Sequence, residues 1–435
     1  MSSLINNNFN NDTMTILNYQ GSKKQLLDFI YNKSVEYIDE NKAFMDIFSG
    51  SSAVGYAMKR NFQIYSNDSE LYSYNIAKAL VENNTRLEIA PLFNNVRMNY
   101  NNNYENLYEI FGKYLDEEQL LINNKNEEEL VNFYKRYPCI WNKETEFKLF
   151  NGRIKTISDI QNYKSNIPFM LFTTYYANSY FGIQQSFDID SIRYAIEIEQ
   201  NEVVKSVLFS ALFFAMKECV FSKDGHMAQP LDKDKNSSKL LKIRSRSIMQ
   251  KFEEKLAEFG TDDFVISDKN NKTFNLDFND LLKEKNILND VGFIYADPPY
   301  TDMQYSRYYH LLNTLVLYDY PQISLTRGVL SNGLYREGRF QSNLSKKSKA
   351  TEEINELFRS CKENKINIGL SFAYPQDPIN QPTNRYTMDI SKIIEIAELY
   401  YGKKNVKVEG LDYEHANNRN SSSKKVIEYL ILGIN

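Results

Sequence analysis

The tetrapeptide Asp297-Pro298-Pro299-Tyr300 is the part of this sequence best suited to chemistry. It follows directly on Val291-Gly292-Phe293-Ile294-Tyr295-Ala296, an apolar run without polar alternation, as expected of a central parallel strand covered on both faces. A carboxylate at the carboxyl end of such a strand stands where open α/β sheets bind ligands. The two prolines stiffen the loop and withhold backbone donors, which leaves carbonyls free to accept hydrogen bonds. This combination suits an exocyclic amine on a flat ring. The lone pair of such an amine is delocalised, so its nitrogen becomes nucleophilic only when acceptors grip the N–H hydrogens and let it move towards tetrahedral geometry. Asp297 and the Pro298 carbonyl provide two acceptors and Tyr300 a π-face, and the chemistry they indicate is methylation of the amine. The plainer alternative is a proline-terminated strand with an incidental aspartate, and the buried strand before it weighs against that.

A second constellation is Asp46-Ile47-Phe48-Ser49-Gly50-Ser51-Ser52-Ala53-Val54-Gly55, with Asp68 placed 22 residues after Asp46 at the end of the next strand-like run. Glycine in a first βα turn lets backbone approach a ligand, and an acid about 20 residues on can accept from ribose hydroxyls. Spacing alone fits a small-residue turn with a surface aspartate equally well.

Together the two constellations resemble the Dam-like DNA adenine-N6 methyltransferases. Tyr19-Gln20-Gly21-Ser22-Lys23 is similar to that family's N-terminal lysine motif, Asp46 to Gly55 to its glycine turn, and Asn67-Asp68 to its third motif. Asn275-Leu276-Asp277-Phe278 matches a fourth, Asp297 to Tyr300 the catalytic tetrapeptide, and Asn417 to Glu428 the family's ending. The resemblance implies S-adenosylmethionine as cofactor, with no metal. Tyr19, Gly21 and Lys23 would border its pocket, Asp46, Phe48 and Gly50 the methionine side, Asp68 the ribose hydroxyls, and Asp277 with Phe278 the adenine ring. Ser52 stands where the family usually has a second glycine, and a Cβ there restricts backbone conformation and approach. The implied substrate is adenine N6 in duplex DNA, reached by base flipping, and a cognate restriction endonuclease is an expected partner.

These residues must be positioned by a fold. Ile16 to Tyr19 leads into a helix from about Leu26, and strands are expected at Phe44–Phe48 and Gln63–Ser66, each followed by a helix. Two such units predict a Rossmann-like α/β domain with a mostly parallel sheet. Further helices are expected at Leu107–Leu115, Glu127–Tyr137, Glu202–Cys219 and, as one piece, Lys239–Phe259. Further strands are expected at Phe264–Ile266 and Ile366–Ala373, with a C-terminal antiparallel hairpin of Val406–Tyr413 and Val426–Ile434. The Asn-rich residues 1–14 predict a flexible tail. Residues 15–84 and 200–435 then form the catalytic domain, interrupted at 85–199 by a mainly helical target-recognition insert.

Contacts to nucleic acid are expected just past the tetrapeptide, where Tyr305, Arg307 and Tyr308 interleave aromatics with a cation. Tyr308 also fits the start of a buried helix. Between Arg327 and Lys349 six basic residues, among them Arg336, Arg339, Lys346 and Lys347, face the single acid Glu337. Residues 318–350 are therefore expected to form a mobile, basic, DNA-contacting loop. The basic run Lys239–Lys251 reads instead as the solvated face of a helix.

Composition limits the alternatives. A chain of 435 residues with 42% hydrophobic and 25% charged residues is globular, and its formal charge of −4 excludes a protein coated in basic charge. Three scattered cysteines give no CxxC pair, and the start of the chain has no apolar stretch of signal-peptide type, so a cytoplasmic protein without a membrane segment is expected. Two rival functions remain at this point: a methyltransferase on another amine, such as RNA adenine, cytosine N4 or a protein amide, and a non-catalytic DNA-binding relative.

Overall fold

The computed structural model describes residues 9, 13–17, 23–142, 146–223, 225–415 and 424–435. Nine strands are found among them: β1 (Ala43–Asp46), β2 (Ile64–Asn67), β3 (Lys272–Phe274), β4 (Val291–Ala296), β5 (Leu325–Thr326), β6 (Val329–Leu330), β7 (Asn367–Pro375), β8 (Val406–His415) and β9 (Lys424–Gly433). Seven form one sheet in the order β3-β2-β1-β4-β7-β9-β8, and β5 and β6 form a small separate ribbon. Pairing is parallel from β3 to β7 and antiparallel where β9 inserts between β7 and β8. The expected mostly parallel sheet with a C-terminal hairpin is what the chain forms. The chain order reverses between β1 and β4, which lie side by side with Asp46 opposite Tyr295. Both strands are apolar because both faces are covered, and Phe44, Met45, Phe293 and Ile294 are wholly buried.

Two expectations about local structure fail for identifiable reasons. Phe264–Ile266 is not a strand: Phe264 and Val265 are buried, and the Val265 N–H donates to the Tyr56 hydroxyl at 2.9 Å rather than to a neighbouring strand. The edge strand is β3 instead. The single helix expected over Lys239–Phe259 is two, Ser237–Arg244 and Ile248–Glu258, because the Ser247 side chain accepts from the Gln250 N–H and caps the second. Arg244, expected on a solvated face, is buried with its guanidinium donating to the Ser179 and Tyr180 carbonyls.

A helical assembly packs beside the sheet, beginning with the 35-residue helix Ile89–Asn123 and running through Ile183–Ile198. It does not stop at residue 199: the helices Glu202–Cys219 and Ile248–Glu258 belong to the same packed body. Buried carboxylates hold its turns. Glu118 accepts from the Ile183 and Gln184 N–H groups, and Asp190 from those of Phe172 and Thr173.

The segment 318–350 is not the free loop expected from its glycines and charge. Tyr318 donates to Asp190 at 2.6 Å, the Tyr320 hydroxyl accepts from the Met170 N–H, and Tyr180 donates to the Gly333 carbonyl. Its end forms the start of the helix Lys347–Glu363. Of the expected tail, residues 1–8 and 10–12 lie outside the described residues, and Phe9 stacks on Tyr31 with ring centroids 4.1 Å apart. No helix among the described residues is long and apolar enough to cross a membrane.

Candidate active site

A cavity of about 1280 Å³, counted to its open mouth, lies at the carboxyl ends of β1, β2 and β4. The sheet order places it there, since strands diverge where the winding direction reverses. Asp46, Phe48, Gly50, Asp68, Asp277, Phe278 and Lys23 line it together with Asp297, Pro298, Pro299 and Tyr300. The two sequence constellations, more than 200 residues apart, thus share one cavity. Tyr19 and Gly21 lie outside the described residues.

At its floor stands a charged cluster. The Lys23 ammonium, only 6% exposed, lies 3.0 Å from Asp297 Oδ1 and 3.0 Å from Glu428 Oε1. Burial works against charge on Lys23, but the two carboxylates outweigh it and hold its pKa well above the ordinary lysine value. Burial pushes Asp297 up to about 6, with Lys23 pulling down and Glu428 pushing up. Glu428 enters from β9, where it also accepts from the Ser371 hydroxyl at 2.6 Å. It was not among the expected site residues. Its position could have been read from Val426, Glu428, Leu430 and Leu432, an alternating row that puts a carboxylate on an apolar face.

The upper part of the cavity is acidic and aromatic. Asp46 is 2% exposed, its Oδ1 has no hydrogen-bond partner among the described residues, and burial with repulsion from Asp297 and Asp68 pushes it up to about 8. Asp68 is raised by burial to about 6, and its two oxygens accept from the Gly50 and Glu70 N–H groups at 2.9 Å each. It therefore holds the glycine turn in place besides facing the cavity. Phe278 tilts against Phe48 at 5.2 Å between ring centroids, and Asp277 caps the short helix beginning at Phe278 by accepting from the Asn279 N–H. A cavity rich in carboxylates with an aromatic slot fits a ligand that carries cationic groups and a flat ring, as S-adenosylmethionine does.

Ser52 is the exception among the expected cofactor contacts. It does not line the cavity; it lies behind the turn, fully buried, with φ +59° and a hydroxyl that has no partner among the described residues. That left-handed backbone is the reason glycine suits the position. Ser52→Gly is accordingly expected to stabilise the protein by about 1 kcal/mol in urea denaturation. No gain, or a loss, would show that the hydroxyl contributes more than the strain costs.

The expected DNA contacts divide. Tyr305 lines the cavity, Arg307 is exposed beside the Tyr335 ring, and Arg327 is exposed at the turn between β5 and β6. Lys346 lines the cavity mouth with Phe340, and Lys347 is exposed with its ammonium on the Asn384 carbonyl. Arg339 lies 4.6 Å over the Tyr335 ring, half-buried. Arg336 is withdrawn: its guanidinium, 10% exposed, makes a two-pronged ion pair with Asp319 at 3.2 and 2.7 Å. Its role is to fasten the 318–350 segment. Tyr308 is half-buried with its ring edge-on to His226.

A family model described as D12 class N6 adenine-specific DNA methyltransferase matches residues 19–179 and 127–371. The modification methylase LlaI of Lactococcus lactis subsp. lactis is 25% identical over 414 residues, which cover 94% of this chain and 53% of that protein. The type II methyltransferase M.FokI of Planomicrobium okeanokoites is 28% identical over 313 residues, 71% of this chain and 38% of that protein. M.NlaIII of Neisseria lactamica is 24% identical over 313 residues, 70% of each. The chain spans about half the length, or less, of the first two relatives.

Proposed function

We propose, from the premise that this chain belongs to the D12 class of N6 adenine-specific DNA methyltransferases, that it methylates adenine N6 at a specific site in duplex DNA. The observation carrying this reading is the convergence of Asp297, Pro298 and Tyr300 with the acidic, aromatic slot of Asp46, Asp68, Phe48 and Phe278 in one cavity. S-adenosylmethionine, when bound, supplies an electrophilic methyl group on a sulfonium. Asp46 faces the methionine end, Asp68 retains lone pairs for ribose hydroxyls, and Phe48 with Phe278 and Asp277 takes the adenine ring. Beside them, the Asp297 carboxylate and the Pro298 carbonyl accept the two N–H bonds of the target amine and turn its lone pair towards the methyl. Tyr300 takes the face of the flipped base. Asp297 needs little basicity, because the proton leaves only after the nitrogen has become cationic, and the carboxylate is there to receive it.

Flipping costs a few kcal/mol, which contacts to the duplex must offset. Lys346 lines the cavity, Arg307 is exposed next to the cavity-lining Ser306, and Arg327, Arg339 and Lys347 belong to the 318–350 segment; these five are assigned to the phosphates. Tyr305 is placed to stack on the flipped base or its neighbour, and the helical assembly beginning at Ile89 is assigned to target recognition. A paired restriction endonuclease would suit the modification methylases that this chain resembles. The test is transfer of labelled methyl from S-adenosylmethionine to duplex DNA, followed by nucleoside analysis. Label in N6-methyladenine is the expected result; label in N4-methylcytosine, or transfer to RNA alone, would replace this reading with another acceptor.

Cofactor binding should carry a proton signature. At pH 6 to 7 Asp46, pushed up to about 8, holds a proton in the free protein. A cationic ligand favours the ionised form, so binding should release a proton, seen by calorimetry in buffers of different ionisation enthalpy. Asp46→Asn should bind more weakly without that release. An identical heat in every buffer for the wild type would exclude Asp46 from the cationic end of the ligand.

A further inference from the structure

We propose that Glu428 is a positioning residue of the methyl-transfer centre: it shares the Lys23 ammonium with Asp297 and so keeps Asp297 a strong acceptor for the amine. The inference rests on the reading above, that Asp297 grips the amine. Glu428 is 1% exposed and stands in a row with Val426, Leu430 and Leu432, where a carboxylate is costly unless it is paired. It is paired twice, with Lys23 Nζ at 3.0 Å and the Ser371 hydroxyl at 2.6 Å. Ser371 lies mid-strand in β7, so the sheet fixes Glu428 and Glu428 fixes Lys23.

Charge counting gives the arrangement a purpose. A lone Lys23–Asp297 pair would be neutral, and the ammonium would draw on the lone pairs that the amine needs. With Glu428 competing for the same ammonium, the three groups carry one excess negative charge, and it faces the place where the amine nitrogen turns cationic. The groups facing Asp297 are Lys23 from the N-terminal turn, Asp46 from β1, Glu428 from β9, and the phenols of Tyr295, Tyr300 and Tyr305. Among these Glu428 and Asp46 are the carboxylates; Asp46 ends β1, the strand beside the one that leads to Asp297, whereas Glu428 shares the Lys23 ammonium with it.

The test is single-turnover methylation of duplex DNA across pH for wild type, Glu428→Gln and Glu428→Asp. Glu428→Gln should lower the plateau rate at least about tenfold. Its acid limb, set by ionisation of Asp297, should also move to lower pH, because a charge that raises the Asp297 pKa has gone. The KM for S-adenosylmethionine should hold within about threefold, and Glu428→Asp should recover part of the rate with the limb back near its wild-type position. A merely structural role would lower the rate without moving the limb. Should Glu428→Gln fail to fold, Ser371→Ala, which only removes the hydroxyl that holds Glu428, should slow transfer several-fold. A Glu428→Gln protein with wild-type rate and limb overturns the inference alone, and a full-rate Ser371→Ala protein does so in its stead. A wild-type protein that methylates no adenine overturns the functional reading and this inference with it.

Discussion

Asp297→Ala is expected to lose about 10³-fold or more in the methyl-transfer step, in line with removal of a preorganised group that acts on the developing charge. S-adenosylmethionine binding should change by less than about threefold, because the cationic end of that ligand is assigned to Asp46 and its ring to Phe48 and Phe278. The loss arises twice over. One of two acceptors for the amine disappears, and the excess negative charge of the Lys23, Asp297 and Glu428 cluster disappears with it, leaving a neutral Lys23–Glu428 pair. Because that pair survives, the fold should survive, and the circular dichroism and melting profile should stay close to the wild type. Asp297→Asn separates the two contributions: it keeps an acceptor oxygen but not the charge, and should fall between wild type and alanine. Single-turnover rates at saturating cofactor decide the matter. An alanine variant that keeps a tenth of the wild-type rate would move the chemical centre away from β4.

What the sequence could show followed from how local each feature's cause is. β4 ends where Val291 to Ala296 ends, because a strand covered on both faces, five of its six residues buried, leaves a continuous apolar run and the prolines after Asp297 cannot continue it. The C-terminal hairpin was legible because the polar stretch Asn417 to Lys425 stands between two strand-like runs. Phe264–Ile266 misled because three apolar residues do not distinguish a strand from a loop pressed into the core. The break at Ser247 was hidden by helical spacing of apolar residues on both sides of a cap.

Charge composition misled in another way. Arg336 and Arg244 count as surface cations in a sequence, and only tertiary contacts with Asp319, Ser179 and Tyr180 reveal them as internal fasteners. Glu428 is the converse, a functional candidate concealed in a strand that otherwise reads as core. Local rules failed there and at Ser52, one in the charged cluster at the cavity floor and one in the turn behind its rim, which fits the expectation that sequence–structure conflict gathers at functional sites.

Lys23→Met should have the largest effect on stability of any single change at the site. Methionine can fill the space of the lysine stem, so packing is largely kept, but Asp297 and Glu428 are then left facing each other without a counter-charge. Breaking a buried ion pair from one side costs about 3–5 kcal/mol. The cost should depend on pH with a definite sign. Without Lys23, which pulls the Asp297 pKa down, that pKa rises further above its unfolded value. The folded variant then holds a proton that the unfolded chain has already released, so its stability falls as pH rises through that window. The deficit against wild type, from urea denaturation at pH 5.5 and pH 8, should therefore be larger at the higher pH. Equal deficits at both would mean that Lys23 does not act on the Asp297 proton. The triple variant Lys23→Met, Asp297→Asn, Glu428→Gln removes every charge in the cluster while keeping its shape, and should regain most of the lost stability at pH 8. It should remain inactive, because what the cluster contributes to the fold can be replaced by neutral groups, whereas the negative charge beside the amine cannot.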